Sequence, residues 1–182
     1  MNIWHDINPK WISPDNFTVC IEISKGGKAK YELDKETGRL RLDRILYTST
    51  HYPENYGFIP RTYGEDMDPL DVLVMCSETI VPMSLVQCRP IGFFNMIDGG
   101  RNDEKIIAVP LSDPLYNGYR SIKELPEHKF VEMQHFFSIY KTLEGKETSV
   151  LAVQEAELAV EAIKKAMARY DEYFGKAAEH GD

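Results

Sequence analysis

Phe17-Thr18-Val19-Cys20-Ile21-Glu22-Ile23-Ser24 places apolar side chains at 17, 19, 21 and 23, a period of two that reads as a strand. Gly26-Gly27 supplies a turn, and Lys28-Ala29-Lys30-Tyr31-Glu32-Leu33 alternates again. Ala29, Tyr31 and Leu33 share one face of that second strand, and Lys28, Lys30 and Glu32 share the other. After a turn at Gly38, Leu40, Leu42 and Arg44 fall on one face of a third. Arg44 therefore points with two leucines, either as a strand-end arginine reaching to water or as one held at the mouth of a barrel. Further strands are expected at 71–75, 86–93 and 105–109, joined by short loops rich in Gly, Asp and Pro.

The period changes in the last third. After Pro126, Phe130, Met133, Phe137 and Tyr140 recur at helical spacing, with Gly145 as the stop. Ala156, Val160, Ile163, Met167, Tyr170 and Phe174 then step by four and three residues, ending at Gly175. Many short strands followed by two helices predict an α+β fold: a small closed or nearly closed barrel with helices packed outside.

The 182 residues suit one domain, and 43% hydrophobic with 27% charged residues is the balance of a soluble globule. Every apolar stretch is interrupted by Pro, Lys, Asp or Glu, so no membrane partner is expected. The opening Met1 to Pro9 lacks a basic start followed by an apolar block. Cys20, Cys76 and Cys88 are odd in number and widely spaced, against both a disulfide framework and a Cys-x-x-Cys site. These features predict a cytoplasmic protein. With 21 basic and 29 acidic residues the net charge is −8, a field that repels nucleic acid. It also repels small anions unless cations are bound first.

Glu65-Asp66-Met67-Asp68-Pro69-Leu70-Asp71 is the most unusual local feature. It crowds carboxylates at the entry to a buried strand, where they raise one another's pKa. A hard divalent cation removes that repulsion, and Mg²⁺ takes oxygen ligands. Taken alone, the heptapeptide reads more readily as an Asp/Pro turn with capping side chains. It is not an EF-hand, whose fifth, sixth and twelfth positions here hold Leu70, Asp71 and Ser77. Nor is it an aspartyl-phosphate motif, because Arg61 to Glu65 is not an apolar strand. Asp98-Gly99-Gly100-Arg101-Asn102-Asp103-Glu104-Lys105 reads by itself as a hydrophilic hairpin loop. A barrel would bring both loops to its rim with Glu22, Lys30, Glu32 and Arg44, a mixture suited to metals and a polyanion sharing one pocket. Tyr52 to Pro60 reads as a turn-prone stretch rich in phenols, and Tyr140-Lys141 ends the first helix. The five histidines, His180 among them, show no zinc spacing, and no Gly-x-Ser-x-Gly nucleophile motif occurs.

Taken together, the pieces Ile21-Glu22-Ile23, Lys30-Tyr31-Glu32, Asp43-Arg44, Tyr52 to Gly57, Asp66 to Val72, Asp98 to Lys105 and His135 to Lys141 follow an order that resembles the family I soluble inorganic pyrophosphatases. The resemblance covers essentially the whole chain and marks residues 1–182 as a single domain of that family. It implies an OB-like five-stranded closed barrel with two flanking C-terminal helices. It also implies hydrolysis of pyrophosphate to two orthophosphates by direct attack of a metal-bridging hydroxide, driving biosynthetic reactions that release pyrophosphate. Several Mg²⁺ ions per site are implied, with Mn²⁺ as the substitute, and a homo-oligomer, a hexamer in bacterial relatives.

Carried over by position, Asp66, Asp71 and Asp103 would hold one metal, and Asp71 would share a second. Asp98 and Asp103 would hold a metal arriving with substrate, Glu32 another through water, and Glu22 would orient metal-bound water. Lys30, Arg44, Tyr56, Lys105, Tyr140 and Lys141 would grip phosphoryl oxygens, and Asp68 would accept the proton of the attacking water. Lys30, Arg44 and Tyr56 count with Asp68 as catalytic. Met67 and Gly99 depart from the family pattern, which is often Gly at the first position and a second acid at the other. Two other readings remain: an OB-fold oligonucleotide binder with aromatic platforms, and a catalytically silent member.

Overall fold

β1 (Ile12–Ser13) folds back onto β2 (Asn16–Ile23), the strand expected from the alternation at 17–24. The computed structural model of the chain describes residues 2–175. β3 (Ala29–Leu33) and β4 (Leu40–Ile45) follow, then β5 (Asn55–Ile59), β6 (Leu70–Val74), and the long hairpin of β7 (Leu85–Asp98) and β8 (Arg101–Pro110). β2 pairs with β5, β5 with β6, β6 with β8, β8 with β7, and β7 with β2 again. The ring therefore closes on five strands, which leaves no free sheet edge among them. Only the β6–β8 contact is parallel. β3 and β4 form a separate two-stranded ribbon, so two of the expected strands stand off the barrel.

Among the described residues three α-helices accompany the sheet: the single turn α1 (Ile3–Asp6), α2 (Glu127–Ile139) and α3 (Ala156–Phe174). Alternating residues of the staves feed two apolar clusters. Val72, Val74, Ile106 and Ala108 join the buried stripe of α3, namely Ala159, Ala162, Ile163 and Ala166. Leu73, Met75, Ile107 and Val109 join Phe130, Met133, Phe136 and Phe137 of α2. The α3 stripe is dominated by alanines, which let the helix lie close to the sheet. α2 stops at Ile139, and Gly145 ends a following 3₁₀ turn (Thr142–Glu144) in the left-handed conformation, φ 71°. Among the described residues no helix is long and apolar enough to cross a membrane.

Two stretches differ from the sequence expectation. Residues 55–59, expected as a turn, are the fully buried central strand β5. Gly57 is what permits this: a Cβ there would stand 2.0 Å from the backbone oxygen of Cys20, so only glycine allows β5 to approach β2. Residues 98–105, expected as a loop, are mostly strand. Asp98 and Arg101 are register partners, and the turn between them is Gly99-Gly100 with φ 56° and 80°. That two-residue geometry needs positive φ at both places. Gly99 is thus accounted for by the turn.

Candidate active site

One cavity of about 310 Å³ opens between the barrel rim, the β3–β4 ribbon and the end of α2. Barrel register places its first groups. Asp71 on β6 and Lys105 on β8 are register partners across the parallel pair. The buried Lys105 ammonium lies 2.5 Å from Asp71 Oδ2, 2.8 Å from both Asp103 oxygens and 3.0 Å from the Tyr56 hydroxyl. The Tyr56 hydroxyl in turn donates to Asp71 Oδ2 at 2.6 Å. Burial opposes the charge on Lys105, but the Asp103 and Asp71 carboxylates outweigh it and hold its pKa well above the ordinary lysine value. Burial and the nearby carboxylates push the Tyr56 phenol well up, so it stays a hydrogen-bond donor.

Glu22 arrives through a bulge. Ile21 faces Gly57 and Ile23 faces Tyr56, so β2 carries one residue more than β5 at Glu22. Bulges re-aim a side chain in this way. The buried carboxylate accepts from Leu33 N at 2.7 Å, tying barrel to ribbon. Burial, and then the Asp71 charge, push its pKa up to about 8. A second bulge lies in the ribbon, where β4 carries Asp43 as the extra residue between Arg44 and Leu42. Lys30 pairs there with Glu32 and with Asp43 at 3.4 Å.

The loop before β6 supplies Asp66 and Asp68. Gly64 N donates to Asp68 O at 2.7 Å and Asp68 N to Asp66 Oδ1 at 3.1 Å, closing a tight turn around Met67. Met67 sits at φ 70°, the conformation a glycine takes without cost, with its side chain exposed. Burial, and next the Asp71 charge, raise Asp66 to about 6. Asp103 is raised by burial, with Lys105 opposing. At the far wall Lys141 pairs with Asp98, and the buried Tyr140 phenol is pushed up by burial.

Every residue given a catalytic, substrate-binding or metal role from the sequence lines this cavity except Arg44. Arg44 lies behind the wall, pairing with Asp43 and, through Nε at 2.9 Å, with Glu144. That arrangement is the barrel-mouth alternative only in part, since the guanidinium turns from the cavity to the 3₁₀ turn beyond α2. Sequence reasoning missed Lys35, Trp4 and Glu144. Lys35 pairs with Asp68, and Trp4 lines the same cavity. None of the three lies in an acidic cluster or follows the strand alternation, so no local signal exposed them.

The cavity wall carries seven carboxylates and four lysines and no histidine or cysteine. Oxygen-only donors, among which Glu22, Asp66 and Asp103 have pKa values raised first by burial and then by neighbouring acids, fit a hard divalent cation by chemistry. Their present orientation is different: among the described residues no three acids, histidines or cysteines converge as a metal would require. Asp71, Asp103, Asp98, Glu32 and Asp68 each turn to a lysine instead. Ammonium groups occupy the counter-charge role, and side-chain rotation would hand the oxygens of Asp71, Asp103 and Asp98 to an ion. His180 lies outside the described residues.

Comparison with known proteins points to one family. Residues 19–171 match the family model described as inorganic pyrophosphatase. The chain is 51% identical over 170 residues to soluble inorganic pyrophosphatase 1 of Arabidopsis thaliana, covering 93% of this chain and 80% of that one. The inorganic pyrophosphatase of Thermus thermophilus superposes with a TM-score of 0.89 at 34% identity, over 94% of this chain and 99% of its own. That of Helicobacter pylori gives 0.84 at 41% identity, over 87% and 95%. A shared barrel, a shared length and identities at this level leave one assignment: the chain belongs to the inorganic pyrophosphatase family.

Proposed function

We propose that this chain hydrolyses inorganic pyrophosphate to two orthophosphates, using Mg²⁺ as its cofactor. The observation that carries the reading is the pairing of five of the cavity's acids with its four lysines inside one pocket of small-molecule size. Lys30, Lys105 and Lys141, on releasing their acids, become phosphoryl ligands, and Glu32, Asp71, Asp103 and Asp98 become free to serve cations, while Lys35 stays with Asp68. When bound, Mg²⁺ lowers the pKa of a coordinated water and offsets phosphoryl charge. Asp66, Asp71 and Asp103 would hold the ions nearest the barrel, and Asp98 with Asp103 those accompanying substrate. Glu32 would act through water, and Glu22 would orient water.

The chain's own groups divide the remaining work. Lys30, Lys105, Lys141, Tyr56 and Tyr140 grip phosphoryl oxygens with charged or phenolic donors, which are strongest in a poorly screened cavity. Arg44 reaches the leaving phosphate by exchanging its Asp43 and Glu144 contacts for it. Asp68, exposed on the cavity rim, takes the proton of the attacking water. Positioning and electrostatics carry the rate, as in phosphoryl transfer generally. By consuming pyrophosphate the hydrolysis drives biosynthetic reactions that release it, in the cytoplasm, and the chain acts as a homo-oligomer, a hexamer by family resemblance.

Phosphate release from pyrophosphate and from ATP, with Mg²⁺, Mn²⁺ or a chelator, tests the reading. The expected result is metal-dependent release from pyrophosphate with ATP turned over at least about a hundredfold more slowly. Equal turnover of both would make it a general phosphohydrolase, and no release would make it a silent member.

A further inference from the structure

Lys35 and Trp4 belong to none of the motifs above, yet both line the cavity that holds Asp68. Lys35 follows Asp34 in the turn between β3 and β4, and its ammonium pairs with Asp68 Oδ1. It also lies 5.4 Å from the centroid of the Trp4 ring, where an indole face attracts a cation. The indole is itself fixed. Trp4 is buried, its Nε1 donates to Thr62 O at 3.0 Å, and its ring stacks on His5 and meets the edge of Phe174. The Lys35 backbone is held from the same direction, since Asn2 Nδ2 donates to its carbonyl at 2.7 Å. The turn is braced by Asp34, whose Oδ1 accepts from Thr37 N at 2.8 Å.

Asp68 by contrast has little else to orient it. Its side chain is 53% exposed, and Lys35 is the one partner its carboxylate oxygens have among the described residues. A base free to rotate spends much of its time misaligned with the water it must serve, and small misplacements cost rate steeply. We propose that Lys35, seated on Trp4, is a positioning residue for Asp68, so that the N-terminal turn α1 sets the geometry of the reaction from outside the stretch matched by the family model. The inference rests on the reading of Asp68 as proton acceptor. The contribution is to rate, because an exposed ion pair adds little to stability.

Steady-state kinetics on magnesium pyrophosphate, with a melting curve for each variant, tests it. Lys35→Met is expected to lower kcat about tenfold while KM moves less than about twofold and the melting temperature holds. Lys35→Arg recovers most of the loss, since a guanidinium also stacks on indole and pairs with a carboxylate. In an Asp68→Asn background, Lys35→Met costs nothing further. Trp4→Leu lowers kcat in the parent and not in Lys35→Met, which separates lost positioning from any loss of fold. Parental kcat in Lys35→Met, a rise in KM alone, or a tenfold loss that persists in Asp68→Asn would each overturn the inference. Parental kcat in Asp68→Asn would instead overturn the assignment of Asp68 itself.

Discussion

Asp71 and Lys105 are register partners in the parallel pairing of β6 with β8, and their charged groups meet at 2.5 Å inside the barrel rim. The ion pair at the centre of the site is thus written into the backbone ladder. Asp103 closes on the same ammonium from two residues along β8. Slipping either strand by one residue would put Asp71 and Lys105 on opposite faces and dismantle the site and the core together.

The first prediction concerns that lysine. Lys105 is almost fully buried, and removing it leaves two carboxylates without a counter-charge. Lys105→Met should lose about 3 kcal/mol or more in a chelator, by denaturant unfolding. Added Mg²⁺ should return part of the loss, because a cation between Asp71 and Asp103 replaces the ammonium. A loss indifferent to Mg²⁺ would mean that these acids do not take the ion.

Glu22 sets a pH dependence. Its ordinary value is 4.5 and its folded value is raised to about 8, chiefly by burial and next by Asp71. The folded chain therefore keeps a proton that the unfolded chain releases, and between those values rising pH favours unfolding. Glu22's contribution falls from about pH 4.5 to about pH 8 and is flat beyond. In metal-free buffer Glu22→Gln should remove that slope and be more stable than the parent at pH 9, by a few kcal/mol at most. Its carboxamide oxygen can keep the bond from Leu33 N. A variant with the parent's pH profile would contradict the buried-acid account.

Met67 holds a left-handed conformation with a mostly exposed side chain, so little burial offsets the strain. Met67→Gly should stabilise the chain by up to about 1 kcal/mol, read as a higher melting temperature. A lower melting temperature would mean that the methionine side chain contributes contacts the loop needs.

The barrel was legible wherever a strand alternates or runs apolar, as at Phe17 to Ile23 and Val72 to Met75. β5 was not, because Tyr52-Pro53-Glu54-Asn55-Tyr56-Gly57 carries turn residues whose purpose is long-range. Gly57 answers to Cys20, thirty-seven positions earlier. The seven acids of the cavity, with Lys30, Lys105 and Lys141, were legible through their order along the chain. Arg44's turn toward Glu144 was not, since it depends on where α2 ends. Lys35 and Trp4 escaped for the same reason: their meeting is a product of α1 docking beside the ribbon, and neither residue is unusual for its neighbourhood in sequence.

The central claim is that the cavity acids hold magnesium. Calorimetric titration of Mg²⁺ into chelator-stripped protein tests it most directly, comparing the parent with Asp71→Asn. The account predicts saturable binding by the parent and a loss of at least about tenfold in affinity in the variant. Equal affinity in the two proteins, or no binding by either, would contradict it.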